Sequence, residues 1–147
     1  MPSVRVVADT NTVLSAFLWG GPPKAVLDAA RAEHITLFSS AALPAELEDV
    51  LSRDKFAARI ARIESTPATL LRQYRALIHL VRPTAIAPTS RDPDDDHVLA
   101  CALGARAELI VSRDKDLLAL STFHGIRILS AAPALALIAQ NREENRD

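Results

Sequence analysis

Val4-Arg5-Val6-Val7-Ala8-Asp9-Thr10-Asn11 is the stretch on which the reading of this chain turns. An apolar, β-branched run rises to a carboxylate and stops at Thr10-Asn11, after which Val13, Leu14, Phe17 and Leu18 recur at helical spacing. The pattern predicts a buried strand, a short turn and a helix start, with Asp9 at the carboxyl end of the strand. In open α/β sheets, ligands bind in the crevice outside the strand C-termini. A carboxylate there has no apolar reason to exist. Asp9 is therefore read as the first ligand of a metal site that later acidic positions complete.

Outward from this stretch, strands alternate with helices. Gly20-Gly21-Pro22-Pro23 breaks the first helix, and Pro23 starts a second that runs to about Glu33. His34 to Phe38 reads as a strand, and Ser39 or Ser40 caps a helix carrying Leu43, Leu47, Val50 and Leu51. Helices are expected over 55–64 and 66–79, split at Thr66-Pro67, with a weak strand at Leu80-Val81 or near Ile86. Asp94 to Leu103 reads as a helix ended by Gly104, its acidic first turn favourable against the helix dipole. Leu109 to Ser112 and Ile126 to Leu129 read as strands around a short helix, Lys115 to Leu120, and Pro133 opens a last helix to about Gln140. This alternation predicts a parallel sheet covered on both faces, a three-layer α/β/α sandwich. One domain over 1–140 is expected, with a polar, frayed tail over 141–147.

Composition narrows the function. Of 147 residues, 49% are hydrophobic, enough for a sizeable core, while 4% aromatics argue against a binder built on base stacking. The single cysteine, Cys101, excludes an internal disulfide and fits a reducing compartment. No apolar run approaches the roughly 18 residues of a membrane span, and Met1-Pro2-Ser3-Val4-Arg5 lacks a signal-peptide pattern, so a cytoplasmic address is expected. The net charge of −1 names no partner, but its distribution does more. Between Arg53 and Arg82 the cations Arg53, Lys55, Arg59, Arg62, Arg72, Arg75 and Arg82 face only Asp54 and Glu64. All but three of the 17 cations are arginine, the better bidentate phosphate binder. A basic helical stretch beside acidic clusters suits a protein that holds a polyanion next to a cation.

The acids fall at element ends: Asp9 after the first strand, Asp92-Pro93-Asp94-Asp95-Asp96 opening a helix, and Asp114 and Asp116 directly after a strand, with Glu46 inside the helix that follows the second strand. Two carboxylates about 4 Å apart repel by roughly 1 kcal/mol in bulk water and about 4 kcal/mol at an effective dielectric near 20. Several converging carboxylates would destabilise the fold unless protons or a cation offset them. Oxygen-only ligands favour a hard ion, Mg²⁺ or Mn²⁺, over zinc. Such an ion with carboxylates and substrate phosphates makes a phosphodiester-cleaving arrangement.

Val6-Val7-Ala8-Asp9-Thr10-Asn11, Pro44-Ala45-Glu46-Leu47, Arg91-Asp92-Pro93-Asp94-Asp95-Asp96 with Ala100, and Ile110-Val111-Ser112-Arg113-Asp114-Lys115-Asp116-Leu117-Leu118 together resemble PIN-domain ribonucleases. In order and spacing they are most similar to the branch described as toxins of bacterial toxin–antitoxin systems. The resemblance implies a sheet of about five parallel strands and a Mg²⁺- or Mn²⁺-dependent endoribonuclease leaving a 5′-phosphate and a 3′-hydroxyl. It also implies a homodimer and a cognate antitoxin. Asp9, Glu46, Asp96 and Asp114 match the family's acidic quartet, with metal held by Asp9, Asp96 and Asp114. Asp116 matches a less constant extra acid. Asp96 is chosen over Asp94 and Asp95 because Asp-x-x-x-Ala fits Asp96 with Ala100. Asn11 and Ser15, four apart, match positions that steady the first ligand, and Ser112 matches a position that is often Thr. Arg53, Lys55, Arg59, Arg62 and Arg113 are candidate RNA contacts.

Plainer readings stand beside these. Asp94 and Asp95 read as helix-start charges and Asp92 as a turn or cap residue, while Asp116 is either a ligand or a helix-start charge. Only the resemblance lifts Glu46 above Glu48. His97 has no second His or Cys at zinc spacing. Trp19, before Gly20-Gly21, packs over a helix end more simply than it stacks on a base. A haloacid-dehalogenase-type phosphotransferase also starts with a strand-end Asp, but it wants a second Asp where Asn11 stands. The remaining alternative is a catalytically silent nucleic-acid- or partner-binding module on the same scaffold.

Overall fold

A computed structural model describes residues 3–144; Met1-Pro2 and the end of the expected tail, Asn145-Arg146-Asp147, lie outside the described residues. Strand β1 (Val4–Ala8) leads through α1 (Thr10–Leu18) and α2 (Gly21–Arg31) to β2 (Ile35–Ser39). Then α3 (Ala42–Leu51), α4 (Asp54–Arg62) and α5 (Pro67–Leu77) precede β3 (Ile78–Leu80). A loop over 81–92 enters α6 (Pro93–Gly104), followed by β4 (Leu109–Val111), α7 (Lys115–Leu120), β5 (Thr122–Phe123), β6 (Ile126–Leu129) and α8 (Ala131–Glu144). The strands form one sheet in the order β3-β2-β1-β4-β6-β5. Every pairing is parallel except that of β5 with β6.

The sheet is buried on both faces, which explains why β1 is a continuous apolar run rather than an alternating one. Val6 and Ala8 pack on one side into a core shared with α1, α2, α3, α5 and α8. Val7 points to the other side and packs with Val98, Leu99, Cys101 and Ala102 of α6 and Leu117 of α7. This is the α/β/α sandwich. Helix α5 is tied to β2 by a buried 2.7 Å hydrogen bond between Tyr74 and Ser39. Among the described residues no helix is long and apolar enough to cross a membrane.

Four details differ from the sequence reading. The helix expected over 66–79 ends at Leu77, because Ile78 turns extended and Ile78-His79-Leu80 pairs with β2. A two-residue antiparallel strand, β5, joins the five parallel strands; two residues carry no readable periodicity. The last helix begins at Ala131, ahead of Pro133. It also continues to Glu144, so residues 141–144 of the expected tail are helical.

Helix α6 holds the preceding loop tightly. The Thr84 amide donates to the Ala100 carbonyl at 3.0 Å. A Cβ built on Gly104 would stand 2.1 Å from the Arg82 carbonyl oxygen and 3.1 Å from the Pro83 Cα. Alanine in a helix is worth up to about 1 kcal/mol over glycine. Overpacking against backbone costs about 1–3 kcal/mol, so the clash wins. Gly104→Ala is expected to lower the melting temperature by several degrees in thermal denaturation; a variant as stable as the parent would contradict this close approach.

Candidate metal centre

The strand order reverses between β1 and β4, and that switch point is where an α/β sheet opens a crevice. Val6, Val7 and Ala8 pair with Leu109, Ile110 and Val111, and the ladder continues one step through the Asp9 amide, which donates to the Val111 carbonyl at 3.0 Å. Asp9 and the segment Ser112-Arg113-Asp114 therefore emerge side by side. Each aspartate then caps a helix. Asp9 Oδ1 accepts from the Thr12 amide of α1 at 2.9 Å, and Asp114 Oδ1 accepts from the Asp116 and Leu117 amides of α7 at 2.8 and 3.2 Å. The two are joined by Ser112, whose buried hydroxyl donates to Asp9 Oδ2 and accepts from the Asp114 amide at 2.9 Å. The Arg113 amide also donates to Asp9 Oδ2, at 3.3 Å.

The third side of the crevice is the start of α6. A cleft of about 160 Å³ is lined by Asp9, Thr10, Asn11, Glu46, Val50, Arg53, Asp92, Asp94, Asp95, Val98 and Asp114. Asp95, only 6% exposed, accepts from the Ser90 hydroxyl at 2.9 Å. Carboxylate oxygens of Asp95, Asp114 and Asp116 lie within 4.8 Å of one another. Around one octahedral Mg²⁺ with bonds of about 2.1 Å, neighbouring ligands lie about 3.0 Å apart and opposite ones about 4.2 Å, so the trio would have to draw together to share an ion. All its donors are oxygens, which suits a hard divalent cation.

The expectation for Asp96 is corrected here. Its Oδ1 accepts from the Ser90 amide at 2.8 Å and its Oδ2 from the Thr89 amide at 3.1 Å, so it ties down the loop before α6 and stays out of the cleft lining. Asp95, read from sequence as a helix-start charge, is the member of the pair that lines the cleft. A signal for it existed: Asp95, Val98, Leu99 and Ala102 are buried together, spaced i, i+3, i+4 and i+7. Asp95 is in phase with the buried stripe, whereas Asp96 is one position off it.

Some of the supporting residues also sit differently from expectation. Asn11 is exposed at the cleft, and Ser15 is buried but hydrogen-bonded to the Arg113 guanidinium. Ser112, the third supporting candidate, does donate to the Asp9 carboxylate, together with the Thr12 and Arg113 backbone amides. Asp116 is bridged to Arg91 at 2.9 Å across exposed surface, a contact worth little in water. Of the basic candidates, Arg53 lines the cleft while pairing with Asp49 at 3.2 Å, and Arg113 flanks it. Arg59 donates to the Leu18 carbonyl at 2.6 Å; Lys55 and Arg62 are exposed on the same helix, α4. His97 is exposed, 3.9 Å from Asp94, and not part of the lining.

Electrostatics agree with a site built for a cation. Burial pushes the Asp95 carboxyl up to about 6, with the Ser90 hydroxyl pulling it down and the charges of Asp114 and Asp92 adding to the rise. Glu46 is also raised, first by burial and then by Asp94, Asp9 and Asp92. The Thr10 hydroxyl, close enough to Glu46 to lower its pKa partway, completes no hydrogen bond. It is a buried, unpartnered polar side-chain atom facing the acids. Buried polar atoms ordinarily have partners, so this one is free to meet a bound group.

Comparison with family models decides the kinship: the PIN-domain model matches residues 5–116. The chain belongs to the PIN-domain family. Comparison with curated proteins and with solved structures gave no match. PIN domains are generally metal-dependent nucleases, and the acidic cleft of this PIN domain lies within or beside elements that the match covers.

The raised Asp95 carboxyl has a consequence for stability. The folded state holds this proton more tightly than the unfolded chain, so its contribution is present below the ordinary carboxylate range and is lost as pH rises through about 6. Without divalent ions, Asp95→Asn is expected to gain in melting temperature over the parent between pH 4 and pH 7. Millimolar Mg²⁺ or Mn²⁺ at pH 7 should raise the parent and narrow that gap. A parent melting temperature indifferent to both ions would count against cation binding.

Proposed function

We propose that this PIN domain is a Mg²⁺- or Mn²⁺-dependent endoribonuclease. The observation that carries the reading is the convergence of Asp9, Glu46, Asp95 and Asp114, drawn from four separate segments, on one cleft at the sheet's switch point. In this reading Asp95, Asp114 and Asp116 hold the ion, with Asp9 beside them. When bound, such an ion acidifies a water toward neutrality and offsets charge on a phosphodiester. The chain's own groups do the positioning. Ser112 fixes Asp9 and the Asp114 backbone at once, so the two carboxylates share one frame. Glu46, with its raised pKa, stands across the cleft as the group that orients the attacking water and takes up its proton. The Thr10 hydroxyl offers a hydrogen bond to that water or to a phosphate oxygen. Arg53 and Arg113 flank the acids as phosphate contacts.

The finer parts of the proposal rest on the family resemblance: RNA as substrate, 5′-phosphate and 3′-hydroxyl ends, a homodimer, and a toxin role restrained by a separate antitoxin chain. The single free cysteine, Cys101, buried in the core, supports a reducing, cytoplasmic setting.

The test is RNA cleavage with Mg²⁺, Mn²⁺ or EDTA, comparing two neighbouring substitutions. Asp95→Asn is expected to lower the rate by at least about 100-fold. Asp96→Asn is expected to stay within several-fold of the parent, because an amide oxygen still accepts from the loop. Cleavage that persists in EDTA defeats the metal mechanism. Binding of RNA without any metal-dependent cutting favours a silent binding module. The reverse ranking of the two substitutions restores Asp96 as the ligand.

A further inference from the structure

Arg113, whose amide bonds Asp9, also lines a second hollow of about 480 Å³ together with Ser15, Trp19, Gly20 and Pro23. Its wall is the chain's sole tryptophan, left 55% exposed at the end of α1. The ring is nevertheless held in place. Phe56 meets it edge to face at 6.3 Å and 72°, and the Arg59 guanidinium lies 5.7 Å from its centroid while bonding the Leu18 carbonyl. Gly20 and Gly21, with φ of 77° and 68°, turn the backbone away immediately after it. A large aromatic side chain that is fixed yet open to solvent is preorganised to stack against something flat.

Arg113 connects this hollow to the acidic cleft. Its amide holds the Asp9 carboxylate, while its exposed guanidinium reaches Ser15 and, among the described residues, forms no ion pair with a carboxylate. Along α1, Asp9 and Ser15 are separated by about 9 Å, six residues of helical rise. A strand whose phosphate lies over the carboxylates would therefore pass an unpaired cation and then an open indole face.

We propose that the Trp19–Arg113 hollow is a nucleotide subsite, which takes the base and phosphate of a nucleotide next to the scissile bond in single-stranded RNA. Trp19 stacks on the base, and Arg113 pairs with the phosphate. Stacking of this kind tolerates any base, so the subsite selects for unpaired strands rather than for a sequence. The inference rests on the nuclease reading above and adds where the strand runs.

With one tryptophan in the chain, emission excited at the red edge of the indole band, where Tyr74 does not absorb, reports this side chain alone. The full chain in EDTA is titrated with a short oligoadenylate and with an abasic oligonucleotide of equal length. The oligoadenylate is expected to quench the emission saturably and the abasic strand to leave it unchanged. Trp19→Ala should weaken oligoadenylate binding roughly 5- to 100-fold, and Trp19→Phe should recover most of the loss. Oligoadenylate that binds without quenching, and equally well in Trp19→Ala, overturns the subsite while leaving the nuclease reading intact. A parent that neither binds RNA nor cuts it with Mg²⁺ or Mn²⁺ overturns both.

Discussion

The parallel pairing of β1 with β4 is the constraint from which the cleft follows. Three pairs, Val6 with Leu109, Val7 with Ile110 and Ala8 with Val111, bring together residues about a hundred positions apart. Each strand then ends on a polar residue at the same level, Asp9 beside Ser112. Because the side chains in this ladder are fully or nearly fully buried on two core faces, a slip of one residue would exchange the faces and misplace the acids. The hydrophobic core and the acidic site are thus one requirement. Packing fixes the register, and the register sets which carboxylates meet.

The meeting itself is unfavourable. Asp9 tolerates it by accepting hydrogen bonds from Thr12, Ser112 and Arg113, and Asp114 by capping α7. Charge-assisted bonds of this kind, and helix N-termini, stabilise a carboxylate. Burial, followed by the neighbouring carboxylates, makes Asp95 and Glu46 hold their protons more tightly than ordinary carboxyls do. The cleft thus holds two acids anchored by several hydrogen bonds and two whose charge is disfavoured by burial.

Much of this was legible in the residues. The run to Asp9, the helix carrying Leu43 and Leu47 and the strand before Ser112 all announce themselves through their period. The serine cap expected for that helix does not form: it starts behind Ala41 with no side-chain cap, and Ser39 bonds Tyr74 instead. What failed to show had specific causes. Linear spacing from Asp96 to Ala100 pointed to Asp96, but spacing does not say which side of a helix is covered; burial of Val98, Leu99 and Ala102 does, and Asp95 is the acid in phase with it. Asn11 and Ser15 share a helical side, but the Asp9 carboxylate takes its hydrogen bonds from two backbone amides and a serine, and amides leave no mark on sequence. The start of β3 was hidden inside a helical pattern because its partner, β2, is forty residues earlier and supplies the reason for extension.

Both rims of the sheet are made of short strands: β3 with three residues on one side and β5 with two on the other, the latter reversed in direction. Short outer strands offer few free backbone groups for another polypeptide to pair with. Growth of the sheet by recruitment of a neighbour's strand is thereby discouraged, even with Leu80 standing 62% exposed at one rim. Copies of this molecule that associate are steered toward contacts between helices, and the protein is shielded from the fibrous assembly to which open-edged sheets are prone.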